Sequence, residues 1–135
     1  MKFPKNAVVA VADGELLNLY RNTGDENAPA LTAMPAADVS TTNKGSGDRH
    51  QSSSANPSDS QQDEDSFAAG IAALLNKEVL EGRIDSLIVI AAPRTLGELR
   101  KHYHKALEAK LIGELSKDLT GHSAADIQKA IATAS

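Results

Sequence analysis

The chain has 135 residues, the usual size of one domain, with 41% hydrophobic and 24% charged residues, proportions that are ordinary for a globular protein. The net charge of −4 disfavours DNA binding in which the whole molecule attracts phosphates. A local basic patch is still compatible with this net charge. Cysteine is absent, which excludes disulfides, thiolate catalysis and thiolate zinc sites.

The apolar run near the N-terminus is shorter than that of a signal peptide. Residues 7–12 are apolar, but the run stops at Asp13, short of a signal h-region. No segment reaches the ~18 apolar residues of a membrane helix. We therefore expect a cytoplasmic protein without a membrane partner.

The first third of the chain predicts an antiparallel meander. Residues 7–12 have the pattern of a buried strand, and Asp13-Gly14 is typical of a tight hairpin turn with positive φ angles. Residues 15–21 would form the returning strand. A weaker third strand is predicted over 30–35, which Pro35 ends.

A long polar segment follows, over about residues 36–62. Ser, Asn, Asp, Gly and Gln dominate it, so it cannot bury enough apolar surface to offset its ordering entropy. Loops of this length inside a compact domain are usually functional or disordered. Composition does not distinguish a linker from a working loop.

Residues 63–83 predict a helix, because their apolar residues recur at helical spacing and form one stripe. Gly82 is typical of the C-terminal end of a helix. The stripe comprises Phe67, Ile71, Leu74, Leu75 and Val79. Residues 85–94 then read as a central strand, because the run is apolar on both faces.

Two more helices and one more strand are predicted in the last third. Thr95 and Glu98 form a capping-box pattern that would start a helix over 96–107. A strand is expected over 111–117, and Ser123 would open the last helix. The order ββ(β)–loop–α–β–α–β–α predicts a single mixed-sheet α/β domain over residues 1–135.

The most basic part of the chain is the best physical candidate for an anion or RNA contact. Arg94 and Thr95 lie where the central strand passes into a helix, a place where α/β sheets often receive anions. Arg100, Lys101 and Lys105 follow. The alternative is a solvated helix face with an ordinary cap.

Other patterns are weaker. Gly45-Ser46-Gly47 lacks the third glycine of a dinucleotide fingerprint, so flexible loop glycines are favoured. The histidines have no zinc-like spacing and read as surface residues; they are His50, His102, His104 and His122. We expect no metal and no cofactor.

Asp13, Glu114 and Asp118 lie at or near predicted strand ends, where nucleases of ribonuclease H type cluster carboxylates for two metals. Asp13 and Asp118 are explained equally well as turn residues. A metal-dependent nuclease is therefore the lowest-ranked of the functions considered.

Several stretches together resemble the bacterial host-attachment protein family, described as proteins required for attachment to host cells. The resemblance covers nearly the whole chain apart from the polar loop. Its most specific parts are Val11-Ala12-Asp13-Gly14, the segment from Ala92-Pro93-Arg94 to Leu96-Gly97-Glu98-Leu99-Arg100, and Lys117-Asp118-Leu119.

That family is similar in fold to the middle domain of archaeal and eukaryotic class I release factors, which implies a ribonuclease H-like domain. In release factors a loop before the long helix carries Gly-Gly-Gln to the peptidyl-transferase centre. The equivalent positions here include Lys44, Gly45, Gly47, Arg49, His50 and Gln51. No Gly-Gly-Gln tripeptide occurs, which leaves Gln51 as the one weak catalytic candidate.

The resemblance implies a cytoplasmic protein that binds the ribosome or tRNA without catalysis. The loop 44–52 would make the contact, and Arg94 to Lys105 would form a second basic surface. One alternative is a regulatory module that acts on adhesion through protein partners. A further alternative is a nuclease or a peptidyl-tRNA hydrolase. The oligomeric state is left open.

Overall fold

The computed structural model describes residues 4–35, 39 and 58–134. Within them, five strands form one sheet in the order β3-β2-β1-β4-β5. The strands are β1 (Val8–Ala12), β2 (Leu17–Asn22), β3 (Leu31–Ala33), β4 (Leu87–Ala91) and β5 (Leu111–Ser116). β1, β2 and β3 pair antiparallel, whereas β4 and β5 continue the sheet parallel to β1. The predicted mixed-sheet α/β fold is confirmed.

Helices cover both faces of the sheet. They are α1 (Ser58–Leu80), α2 (Pro93–Arg100), α3 (Lys105–Lys110) and α4 (Ala124–Thr133). Successive strand residues point to opposite faces, so Val8 and Ala10 pack with α1, α2 and α3, while Val9 packs with α4. The result is three layers with a hydrophobic core on each side of the sheet.

β1 and β4 form the centre of the sheet. Every residue of both strands is at most 1% exposed, which explains why each reads as a continuous apolar run rather than an alternating one. Strands that are parallel and covered by helices on both faces have this composition. The prediction of a central strand after α1 is therefore confirmed.

The long helix has the predicted buried stripe and the predicted end. Ile71 and Leu75 are fully buried against the sheet. Gly82 has φ +80°, its N–H donates to the carbonyl of Val79, and the N–H of Arg83 donates to the carbonyl of Glu78. These two bonds form a Schellman motif, which ends the helix.

α1 begins earlier than expected, at Ser58, inside the range predicted as polar loop. Once a helix is anchored by an apolar stripe, each added residue gains one hydrogen bond for the backbone it orders. Polar residues can therefore extend the helix.

The turn between β1 and β2 differs from the predicted Asp13-Gly14 turn. Asp13 Oδ1 accepts hydrogen bonds from the N–H groups of Glu15 and Leu16, both at 2.7 Å, and β2 starts only at Leu17. The side chain of Asp13 thus holds the turn, and Gly14 does not have a positive φ. A Cβ at position 14 would lie 2.9 Å from the flexible side chain of Glu64, which would have to shift.

The prediction of one helix over 96–107 is wrong. Pro93 suits the first turn of a helix, so α2 starts directly after β4, and Thr95 lies inside that turn instead of capping it. The chain then turns, and α3 starts with His104 as its N-cap: Nδ1 accepts from the N–H of Ala106 at 2.9 Å.

No helix in the described part of the chain is both long enough and apolar enough to cross a membrane.

Candidate functional site

The carboxyl ends of β1, β4 and β5 meet at one edge of the sheet. Ala12 is the register partner of Ala91, and Ala91 is the partner of Ser116. The residues that follow these strands therefore lie side by side at what we call the carboxyl edge, and they include Asp13, Arg94 and Asp118. Crevices at such edges are the usual ligand sites of α/β sheets.

A single hydroxyl joins the two carboxylates of the carboxyl edge. Thr120 Oγ1 lies 2.9 Å from Asp13 Oδ2 and 2.9 Å from Asp118 Oδ1. Asn18 Nδ2 donates to the carbonyl of Thr120 at 3.2 Å, which fixes the loop after β5 against β2. Because a hydroxyl carries one proton, Thr120 donates to one carboxylate at a time.

The hydrogen bonds to Asp13 also set its charge. Burial by itself raises the pKa of this carboxyl, but hydrogen bonds from the N–H groups of Glu15 and Leu16 and from Thr120 outweigh it. The pKa of Asp13 is therefore below its ordinary value. Asp13 is an ionised acceptor that holds a turn, which agrees with its interpretation as a turn residue.

The structure brings together two of the three carboxylates considered for a nuclease. Glu114 lies in the middle of β5, opposite Val89, and its carboxylate binds Arg100. Among the described residues, no group of three or more His, Asp or Glu side chains could hold a metal ion. The geometry of the described residues therefore offers no support for metal-dependent cleavage.

Arg94 and Thr95 occupy the first turn of α2, as the sequence indicated, but in different environments. Arg94 is exposed and forms no ion pair among the described residues. Thr95 is 7% exposed. Ala92 precedes the helix and gives it no side-chain cap. The start of α2 thus combines an open helix N-terminus with a free cation.

Arg100 and Lys101 belong to a second basic site, at the other end of α2. We call it the basic turn, and it comprises Arg100, Lys101, His102, His104 and Lys105. Two nitrogens of Arg100, Nε and Nη2, contact Glu114 Oε1 at 3.1 and 2.7 Å. Lys101 Nζ contacts Glu98 Oε1 at 3.0 Å.

In both ion pairs the cation is far more exposed than its carboxylate. The side chains of Arg100 and Lys101 are 57% and 68% exposed, against 19% for Glu114 and 18% for Glu98. The hydrogen bond from Lys101 lowers the pKa of Glu98, so this carboxylate is ionised. The carboxylates lie beneath the cations and orient them toward solvent.

Tyr103 lies below the basic turn and strengthens the same network. Its hydroxyl donates to Glu114 Oε2 at 3.3 Å, and burial, together with the negative charge of Glu114, raises the pKa of the phenol. Glu114 therefore holds Tyr103 and Arg100 with its two oxygens.

Asn76 of α1 fixes the backbone of the basic turn. Its Nδ2 donates to the carbonyl of His102 at 2.9 Å, and its Oδ1 accepts from the N–H of His104 at 2.9 Å. Both backbone groups around Tyr103 are thereby satisfied. Lys77, the next residue of α1, is exposed.

The surface predicted to run from Arg94 to Lys105 consists of two separate places. Arg94 lies at the carboxyl edge and Lys101 follows the last turn of α2. At 1.5 Å per helical residue their backbones are about 10 Å apart along the axis. The two basic places therefore lie at opposite ends of α2.

The predicted working loop lies outside the described residues. This applies to Lys44, Gly45, Gly47, Arg49, His50 and Gln51. The described start of α1 reaches the carboxyl edge, because Glu64 packs against Gly14.

The described histidines are surface residues, as predicted. His102, His104 and His122 are all exposed. His102 and His104 do not share a helix, since one follows α2 and the other caps α3. His102 lies 3.3 Å from Glu98, and His122 lies 3.5 Å from Asp126.

Sequence reasoning missed the residues that organise both places. Thr120, Asn76 and Tyr103 carry no motif, and each acts on residues far away in sequence. Asn76 offered one signal. It is a polar residue with low helix propensity that lies next to the apolar stripe of α1, where a hydrogen-bonding role is a reasonable explanation.

The mixed sheet, its helical layers and the carboxyl edge define a release-factor-like α/β domain. Comparison with known families agrees: bacterial archaeo-eukaryotic release factor family 12 matches residues 6–131. The match spans most of the chain, so the protein belongs to this family. No curated protein matches the sequence. The implied release-factor relationship is thus shown, while the link to host attachment rests on the resemblance alone.

Proposed function

We propose that the protein is a non-catalytic binding domain for an RNA-containing partner of the translation machinery, the ribosome or a tRNA. Membership of a release-factor family supports a partner of this kind. The basic turn is the observation that carries the proposal, because its cations are exposed and held in place from beneath by carboxylates.

The geometry of Arg100 suits phosphate recognition. A guanidinium has five N–H donors in a rigid fork, and Glu114 engages the Nε side while the rest remain exposed. Lys101 and Lys105 add exposed charge, and their ammonium groups act as point charges rather than as rigid forks. Contacts of this type bind the backbone of RNA and carry no sequence information.

Ribosome co-sedimentation tests this function. We compare the wild type with Lys101→Gln/Lys105→Gln, which removes two charges without placing new carboxylates beside Glu98. The matched control is Lys5→Gln/Lys129→Gln, which removes two exposed charges elsewhere. In a sucrose gradient with purified bacterial ribosomes, the first double variant should have a smaller bound fraction than the wild type. The slope of log K against the logarithm of the salt concentration should become less steep by about 2.

Two results would contradict the proposal. The wild type could stay at the top of the gradient at low salt, which would leave the release-factor relationship as common ancestry of the fold. Alternatively, both double variants could sediment like the wild type, which would exclude the basic turn as the contact.

The predicted contact through residues 44–52 is a separate part of the proposal. Lys44→Gln/Arg49→Gln should weaken sedimentation further, because the change removes two charges from the loop 44–52. The alternative of an adhesion regulator with protein partners predicts no ribosome association at any salt concentration.

A further inference from the structure

The first turn of α2 has two backbone donors without acceptors. Pro93 has no N–H, and the first helical bond runs from the N–H of Leu96 to the carbonyl of Ala92 at 2.8 Å. The N–H groups of Arg94 and Thr95 have no hydrogen-bond acceptor among the described residues. The helix dipole favours a negative group at this position.

The hydroxyl of Thr95 is a second and independent observation. Thr95 is 7% exposed, yet its Oγ1 has no partner within residues 4–35, 39 and 58–134. Helical side chains lean toward the N-terminus of their helix, so the side chain of Thr95 lies over the same turn as these two N–H groups. A buried hydroxyl without a partner is costly, and natural structures keep such groups where water or a ligand satisfies them.

We propose that the N-terminus of α2 binds a phosphate group of the RNA partner through the N–H groups of Arg94 and Thr95 and the hydroxyl of Thr95. The exposed guanidinium of Arg94 supplies the opposite charge. The identity of the ligand as RNA rests on the proposed function, whereas the phosphate site itself does not.

The carboxyl edge sets the strength of this site. Asp13 follows β1 beside Ala92, and Lys117 follows β5 on the other side of Ala92. Hydrogen bonds from Glu15, Leu16 and Thr120 already engage the carboxylate of Asp13, but its charge still opposes an anion. We therefore expect weak binding of a single phosphate, strengthened when RNA occupies the basic turn as well.

Nuclear magnetic resonance titration of the full chain tests the site directly. Inorganic phosphate is added to ¹⁵N-labelled protein, with chloride at equal ionic strength as the control. The amide signals of Arg94 and Thr95 should shift with phosphate and saturate, while those of Lys101 and Lys105 shift less. Equal shifts with chloride would overturn the proposal.

Thr95→Val separates a ligand role from a structural one, because valine has the shape of threonine without the hydroxyl. Loss of an unpartnered hydroxyl should keep or raise the melting temperature and weaken phosphate binding about tenfold. Asp13→Asn should have the opposite effect on phosphate and tighten binding. Unchanged phosphate affinity in Thr95→Val would overturn the assignment.

Oligonucleotides then distinguish the source of the phosphate. Hexauridylate with a 5′-hydroxyl offers only diesters, and hexauridylate with a 5′-phosphate adds a terminal monoester. Shifts at Arg94 and Thr95 with either support the site, and their absence with both overturns the RNA assignment. If the protein binds phosphate but not ribosomes, the proposed function is wrong and the phosphate site stands. If ribosomes bind Thr95→Val as they bind the wild type, the contact between α2 and RNA phosphate is wrong and the proposed function stands.

Discussion

At the scale of single residues, the buried side chain of Asn22 forms hydrogen bonds with backbone groups that lie outside the strands of the sheet. Asn22 is fully buried at the end of β2. Its Oδ1 accepts from the N–H groups of Gly24 and Ala30, both at 3.0 Å. Its Nδ2 donates to the carbonyls of Pro4 at 3.1 Å and Asp25 at 3.4 Å. One side chain thus ties the N-terminal segment to the β2–β3 connection.

Asn22→Ala should destabilise the fold strongly. The change leaves two partly buried N–H groups without their acceptor, and a lost partner costs ~1–3 kcal/mol when the group is buried, so we expect about 2 kcal/mol less free energy of unfolding in urea denaturation. Asn27→Ala is the control, because Asn27 is exposed in the same connection. Equal stability of the two variants would show that water replaces the Asn22 side chain.

At the scale of elements, helix ends are held by specific local devices. Ser123 caps α4, since its hydroxyl accepts from the N–H of Asp126 at 3.2 Å, as predicted. His104 caps α3, and Gly82 closes α1. Of the three helices whose N-caps the structure describes, α2, α3 and α4, the first has no side-chain cap.

Two glycine-to-alanine changes should move stability in opposite directions. A Cβ at Gly82 or Gly97 meets nothing within 4 Å, so packing is equal at both. Gly82 has φ +80°, where alanine is strained, and Gly82→Ala should lower the free energy of unfolding by about 1 kcal/mol. Gly97 lies inside α2, so Gly97→Ala should raise it by about 1 kcal/mol.

Urea denaturation of both variants measures these changes. A loss of stability in Gly97→Ala would mean that α2 needs its backbone freedom. No loss in Gly82→Ala would show that the Schellman motif does not limit the length of α1.

At the scale of the whole molecule, one sheet separates two cores. Leu75 of α1 is buried on one side and Ile127 of α4 on the other. The protein has two tyrosines, and they fall on opposite sides: Tyr20 packs in the α4 core, and Tyr103 packs against the α1 core. Since the central strands belong to both cores, we expect the two layers to unfold together.

Leu75→Ala and Ile127→Ala should each lower the free energy of unfolding by about 2–5 kcal/mol. Tyrosine fluorescence in Tyr20→Phe and Tyr103→Phe backgrounds reports each core separately. Both reporters should give the same transition midpoint in each core variant. A midpoint that changes only for the reporter on the mutated side would show that the layers unfold independently.

Local features of this chain were predictable because their causes are local. β1 and β4 are uninterrupted apolar runs because they are buried on two faces. α1 has an apolar stripe because it is buried on one face. The capping-box pattern of Thr95 and Glu98 misled the prediction of α2, since Pro93 already starts the helix. Thr95 was a candidate because of its place after a strand, but its burial and the lack of a partner for its hydroxyl among the described residues were not predictable.

The sequence by itself determined the mixed α/β class and the order of elements, except that one predicted helix is divided into α2 and α3, because periodicity and composition depend on near neighbours. Only the tertiary structure decided which residues meet across long separations. Thr120 reaches Asp13 because β1 and β5 end at the same edge. Asn76 reaches His102 and His104 because α1 packs on α2 and α3. Packing of whole elements creates these contacts, and no local pattern encodes them.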